Sequence, residues 1–280
     1  MKKTTVSIGM PVYNGEPFIR EALDSLLSQS FTDYEFIISD NASTDGTEAI
    51  CREYAAKDAR IRYVRQMENL GATANFNVVL DEAIGEFFMW AAADDKRSEN
   101  FIEENLIFLS NNHEFVASTS PVRFEDSDFN ELSMGDFSLD QTNRIVRICK
   151  FFTKWHANGR FYSLIRRESL IDYPFRNEDY LGADWAWVVH LASKGKLKRI
   201  QTGWVCLGTT GVSRKTNIFK KYNRGISTFI VPFGKLLKNT LTITNGIPLY
   251  LFISLIIRWV ILNIRACTLN IKWFLAGKRV

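Results

Sequence analysis

Apolar residues along this chain recur in two alternating rhythms. Val6-Ser7-Ile8-Gly9-Met10 is a short apolar-rich run stopped by Pro11, which predicts a strand and then a loop. Phe18, Ile19, Ala22, Leu23, Leu26 and Leu27 follow at the spacing of a helix with one buried stripe. Asn14-Gly15-Glu16-Pro17 supplies its start, with cap residues, an early acid and an early proline. Tyr34 to Ser39 reads as a second strand, Asp40 to Gly46 as a turn, and residues 47–57 as a helix. Ile61 to Val64 is a third strand. Phe76, Val79, Leu80, Ala83 and Ile84 are helical, and Glu86 to Ala92 is a fourth strand. A helix from near Ser98 buries Phe101, Ile102, Leu106 and Leu109. Strands alternating with helices in this way predict parallel βαβ units and an α/β fold. Ligands of such sheets sit outside the carboxyl ends of the strands, so loops 11–15, 40–46, 65–71 and 93–97 are expected to converge.

The middle of the chain is less regular. Phe115 to Phe124 reads as one extended run and Phe161 to Ile165 as another strand. A helix begins near Asp184, with Trp185, Val188, Val189 and Ala192 on one face. Composition adds little: among 280 residues, 46% are hydrophobic and the net charge is +4, too weak for a nucleic-acid partner. Cys51, Cys149, Cys206 and Cys267 are scattered without a CxxC pair, as reduced cytosolic thiols would be. The charged start meets a short apolar run and Pro11, and reads as a first strand, not a secretion signal.

The chemistry concentrates at the strand ends. Neither GxGxxG nor GxxxxGK[ST] occurs after the first strand, which leaves Pro11-Val12-Tyr13-Asn14-Gly15 with an aromatic able to stack on a base. Asp40 ends the second strand, where its carboxylate could accept from a ring N–H. In "WAAADDKRS" the fourth strand ends in Asp94 and Asp95 side by side. Two adjacent like charges either cap a turn or hold a cation that offsets their repulsion.

"VSIGMPVYNGEPFIREALDSLLSQSFTDYEFIISDNASTDGT", "NLGATANFN" and "FFMWAAADD" resemble, in order and spacing, the family 2 glycosyltransferases of GT-A fold over roughly residues 5 to 110. The resemblance implies a Rossmann-like, mostly parallel sheet flanked by helices, and an inverting transfer from a nucleoside-diphosphate sugar, UDP-linked. Position by position it implies that Pro11 and Tyr13 line the base pocket with Asn14 beside them. Asp40 would read the base, and Asn69, Gly71 and Asn75 would lie along the nucleotide. Asp94 would face the ribose, and Asp95, with Asp94 next to it, a Mg2+ or Mn2+ ion on the diphosphate. Alanines at 92 and 93 stand where many relatives carry a further aspartate.

"YLGADWAWVVHLASKGKLKRI" is similar to the family's acceptor-side segment and makes Asp184 the general base, or else a helix cap, or both. Ala183 stands where the family often has glutamate. Glu178 and Asp179 are nearby substitutes; Trp155, His156 and Arg166 would border the acceptor pocket. Some relatives have a metal-contacting histidine near "LGTTGVSR", and none stands there.

After residue 215 the composition changes. "IPLYLFISLIIRWVILNI", Ile247 to Ile264, is nearly all apolar, and Arg258, Arg265, Lys272 and Arg279 recur every seven residues. On a helix such positions drift only about 20° per step, giving a basic stripe beside an apolar face. The expectation is a catalytic domain over 1–215, with a nucleotide half (1–110) and an acceptor half (111–215), and a helical tail over 216–280. That tail would lie on the inner face of the cell membrane. Packing on the domain, a homodimer contact and a single span are its alternatives, and truncation after Thr216 should release a soluble protein. The acceptor would be a glycan or a lipid-linked glycan of the cell surface. Two other function classes compete: an α/β nucleotidyltransferase, which should show a glycine-rich first loop, and a catalytically silent nucleotide-sugar binder.

Overall fold

The computed structural model describes residues 4–209, 221–222 and 225–275. Arg279, and the part of Leu207 to Arg214 beyond Thr209, lie outside these residues. Strands β1 (Val6–Val12), β2 (Tyr34–Asp40), β3 (Ile61–Arg65) and β4 (Phe87–Trp90) alternate with helices α1 (Ile19–Leu27), α2 (Thr47–Lys57) and α3 (Ala72–Asp81). After β4 come β5 (Lys96–Arg97), α4 (Phe101–Asn111), β6 (Phe115–Thr119), β7 (Val122–Phe124), α5 (Glu131–Met134) and α6 (Arg144–Phe151). Then follow β8 (Leu164–Arg166), α7 (Ala183–Lys194), β9 (Lys196–Arg199) and β10 (Val205–Leu207), and finally α8 (Ile226–Ile230), α9 (Gly234–Ile243) and α10 (Leu249–Leu275).

The main sheet has the order β3-β2-β1-β4-β8-β6-β9, and only β8 runs against the rest. Register fixes where the tips end. Val12 lies opposite Asp40, and Asp40 opposite Arg65, so the first three strands finish level. Side chains alternate between two cores with the period of the pleat. Phe36 and Ile38 point to α1 and α2, and Ile37, Phe88 and Trp90 to α3 and α7. Gly9 is required where α3 crosses β1, because a Cβ there would sit 2.8 Å from Val79. The α/β architecture and mostly parallel sheet agree with expectation.

Three local expectations are corrected. The Phe115–Phe124 run is divided between two sheets, because Pro121 has no N–H to continue a ladder. Its carbonyl instead accepts from Val205 and opens the small sheet β5-β10-β7. Within Phe161–Ile165 only the end is strand. Gly159–Tyr162 forms a 3-10 turn entered through Asn158, whose φ is +63°. Helix α1 begins at Ile19, since Asn14, Gly15 and Glu16 bond to the neighbouring loop.

The tail is not an appendage. Phe233, Leu236, Leu251, Leu255, Leu262 and Ala266 join the core around α7, which is therefore buried from Trp185 through Ala192 instead of on one face. The opposite side of α10 presents Tyr250, Ile253, Ile257, Ile261 and Ile264 to solvent. Leu249–Lys272 is long and apolar enough, at a mean hydropathy of 1.7, to cross a membrane by length and composition alone.

Candidate active site

Two loops are laced together at the tips of β1 and β2. The Asn14 N–H donates to Ser43 Oγ (2.9 Å), the Gly15 N–H to Thr47 Oγ1 (2.8 Å), and the Thr44 N–H to Asn14 Oδ1 (2.8 Å). Asn14 holds a left-handed φ of +53° to make this turn. The third loop is tied in by Asn41, a residue sequence reasoning passed over. It donates to Asn69 Oδ1 (2.9 Å) and accepts from the Leu70 N–H (2.8 Å), while Asn69 Oδ1 also accepts from the Gly71 N–H. Pro11 is buried in β1, and Tyr13 stands out beside it, 48% exposed.

Asp40 and Asn75 are both buried beneath the loops. Asp40 is 0% exposed. Its Oδ1 accepts from the Ser43 N–H (2.8 Å), and its Oδ2 from Tyr63 Oη and Arg65 Nη1, both at 2.7 Å. Asn75 is also buried, accepting from Ser39 Oγ and donating to the Ser39 carbonyl. In this arrangement both side chains brace the loops. Tyr63, Arg65 and Ser39 complete the network, and no motif announced them.

Most of the remaining predicted residues meet in one cavity of about 670 Å³. Asp94, Asp95 and Asp184 line it, with Ala72, Thr73 and Asn77 of α3 on one side and Trp155, His156 and Trp185 on another. Tyr13 and Asp40 do not line it; Gly71, just before Ala72, links the loop cluster to it. Asp94 and Asp95 lie where the chain leaves the main sheet at β4 and enters the small sheet at β5. Beneath them Trp90 stacks on Phe161, 4.6 Å between ring centroids, and its Nε1–H donates to the Phe76 carbonyl.

Asp95 Oδ1 accepts from the Gly208 N–H (3.0 Å), while its buried Oδ2 has no hydrogen-bond partner among the described residues. Burial pushes this carboxyl up to about 7; Arg97 opposes that and Asp94 adds to it. Only glycine fits at 208, because a Cβ would lie 2.4 Å from the Asp94 carbonyl and 2.5 Å from its carboxylate. An unpaired buried carboxylate oxygen beside a second carboxylate is chemistry that would suit a hard divalent ion. Among the described residues no third carboxylate, histidine or cysteine completes a protein cage.

Asp184 opens α7 and faces the cavity interior. Its carboxylate is open to the cavity space, but the surrounding walls desolvate it and raise its pKa, against a hydrogen bond from Asn158 Nδ2 at 3.2 Å and backbone N–H groups of the helix start. Tyr162, missed in sequence, lines the same space. Burial, then Asp95, Asp94 and Asp184, hold its phenol well above the usual range, so it remains a neutral donor. Glu178 and Asp179 line the cavity but are engaged, Glu178 by Asn239 (2.8 Å) and Asp179 by Tyr222 (2.9 Å). Trp155 and His156 border it as expected. Arg166 does not: its guanidinium is drawn to the carbonyls of Phe115 and Leu109 at the sheet edge.

The profile of glycosyl transferase family 2 matches residues 7–173, more than half of the chain. The chain belongs to that family. A Methanocaldococcus jannaschii relative, the uncharacterized glycosyltransferase MJ1057, is 32% identical over 64% of this chain and 63% of its own length. A Bacillus subtilis protein provisionally named the teichuronic acid biosynthesis glycosyltransferase TuaG is 37% identical over 38% of this chain and 42% of its own. Each match thus covers less than two thirds of the relative's length. Among solved structures, the mannosyltransferase PcManGT of Pyrobaculum calidifontis, bound to GDP-Man and Mn2+, aligns with all of this chain and 77% of its own. Its TM-score is 0.61 at 17% identity. S. aureus TarS residues 1–349 with UDP-GlcNAc gives 0.59 at 16% identity, over 91% of this chain and 79% of its own. These likenesses establish the GT-A fold that the family implies.

Proposed function

We propose that this family 2 member moves a sugar from a UDP-sugar to a hydroxyl of a glycan or lipid-linked acceptor, with inversion, in cell-surface polysaccharide assembly. The observation that carries this is the meeting of Asp94, Asp95 and Asp184 on one cavity. The nucleotide lies over the laced loops, with Tyr13, Pro11 and Asn14 at the base, Asn69 and Gly71 along it, and Asp40 and Asn75 holding the loops from within. Asp184, at the opposite wall, takes the acceptor proton as that oxygen attacks the anomeric carbon and the bond to the diphosphate breaks. Its raised pKa suits a base working near neutral pH. Asp94 and Asp95 would hold Mg2+ or Mn2+, which supplies charge neutralisation at the departing diphosphate. Tyr162 donates a neutral hydroxyl among the three carboxylates, and the aromatic floor keeps water out.

The exposed apolar side of α10, flanked by Arg258, Arg265 and Lys272, supports a peripheral position on the inner face of the membrane. Support for the pathway comes from the names of relatives such as TuaG. A panel of nucleotide sugars, each with Mn2+ or Mg2+, tests the central reading by donor hydrolysis and thermal shift. One UDP-sugar is expected to stabilise the protein and to be hydrolysed slowly; a chain that binds a donor yet releases no sugar to water or acceptor is not this enzyme.

A further inference from the structure

We propose that Asn158 is the positioning residue of the general base: its carboxamide fixes the Asp184 carboxylate in the orientation that meets the acceptor hydroxyl. The inference rests on the reading of Asp184 as base and extends it to a residue 26 positions away. Asn158 Nδ2 donates to Asp184 Oδ2 at 3.2 Å. Two unfavourable features accompany that bond. The backbone of Asn158 is left-handed, at φ +63°, and the residue is 1% exposed with an Oδ1 that accepts from no donor among the described residues. A residue retained in a sparsely populated conformation, with an orphaned polar atom, is a candidate for function more than for stability.

The surroundings lock Asn158 in place. Its N–H donates to His156 Nδ1 (3.1 Å), and the imidazole stacks on Trp185, the residue after Asp184, at 4.3 Å between ring centroids. Arg160 Nη2 lies 3.3 Å from His156 Nε2 on the far side. Gly135 makes room for the ring, since a Cβ there would come within 2.4 Å of His156 Nδ1. His156 is buried beside Arg160 and held well below its usual pKa, so it serves this assembly as a neutral ring. The same peptide turn and the same helix start are thus tied twice, once through rings and once through the amide and the carboxylate.

The titratable groups facing Asp184 are Tyr162, Tyr173 and Tyr180, all raised by burial and neutral, together with the cavity carboxylates Asp94, Asp95, Glu178 and Asp179. Lys235 is paired with Glu178, and Arg176 with Asp81. Asn158 is the one neutral side-chain donor on Asp184 among the described residues. Removing it must therefore make the ionised base harder to form as well as less well aimed.

The experiment uses the full chain, with UDP and Mn2+ as the binding probe and hydrolysis of the panel's best UDP-sugar as turnover. Asn158→Gly keeps the left-handed backbone and deletes the amide; Asn158→Asp keeps the shape and replaces the donor with a like charge. Both are expected to bind UDP within about twofold of the parent. Turnover of Asn158→Gly should fall on the order of tenfold to a hundredfold. The acid limb of its pH–rate profile should move up by about one unit, and that of Asn158→Asp further. An unchanged limb, or a loss of UDP binding that parallels the loss of turnover in both variants, overturns the proposal. Asp184→Asn separates the two levels: if it stays active the base reading itself falls, whereas an inactive Asp184→Asn beside a normal Asn158→Gly removes only Asn158.

Discussion

The loops at the first strand tips and the chain from Asp95 onward treat their buried polar groups in opposite ways. In the nucleotide half, Asp40, Asn41 and Asn75 are sealed inside the loops with strong partners for their side chains. Every buried side-chain atom left without a hydrogen bond, among the described residues, belongs to residue 95 or beyond, including Asp95 Oδ2, Arg97 Nε, Asn158 Oδ1 and Arg160 Nε. Satisfied networks rigidify a scaffold, while orphaned atoms cost stability and persist where a ligand or a reaction uses them. The loops hold their shape unaided, while Asp95 Oδ2 leaves capacity open at the cavity.

That contrast is most sharply tested at its two aspartates. Asp184→Asn should lower transfer about 10²- to 10⁴-fold while leaving donor binding and the melting temperature near the parent values. Titrating UDP calorimetrically alongside single-turnover assays checks both; parallel loss of binding would assign Asp184 to the scaffold. Asp40→Asn should do the reverse. It weakens the acceptor for Arg65, Tyr63 and the Ser43 N–H and should destabilise the fold by about 2–4 kcal/mol in urea unfolding, with residual activity per folded molecule retained. A fully stable Asp40→Asn that has lost UDP affinity would restore a direct base contact.

A smaller effect probes α10. Ile257→Asp with Ile261→Asp, both at exposed positions, should reduce flotation with anionic vesicles at least ~10-fold without altering the melt. Equal flotation would locate membrane contact elsewhere. These substitutions replace the truncation after Thr216, which would strip Phe233, Leu236 and Leu255 from the core around α7 and yield aggregates, not a soluble domain.

The smallest effect concerns protons. Asp95 is pushed up to about 7, so in the free protein it is largely protonated below that pH and ionised above it. A cation needs the ionised form, so Mn2+ affinity should rise from about pH 6 to about pH 8 and then level off, with proton release near neutrality. Proton release on Mn2+ binding, measured in two buffers of different ionisation enthalpy, reads this directly, and Asp95→Asn should abolish it. For Asp184 the sign is the same in activity: a raised pKa places the acid limb of the rate profile above the ordinary carboxylate range.

Much of the first half was legible because its determinants are local. Alternation between the faces of β2, the stripe Ile19-Ala22-Leu23-Leu26 and the turn residues after Asp40 each act within a few positions of themselves. The adjacency of Asp94 and Asp95 was equally plain in the chain, and the expected Asp184 does open α7. What stayed hidden depends on partners distant in sequence. The partners of Asp40, Tyr63 and Arg65, stand 23 and 25 residues on and carry no motif. α7 was assigned one buried face because the residues that cover its other side arrive only with Phe233 and Leu236.

By itself, then, the sequence determined the order and type of the elements, the level strand tips and the paired carboxylates, since propensity, periodicity and turn chemistry are short-range. Tertiary structure decided which side chains face the cavity and which turn inward. It also set the Asn158–Asp184 contact, the burial that raises Asp95 and the enclosing cavity walls that raise Asp184. Burial and desolvation are properties of the assembled surroundings, and no single segment of chain carries them.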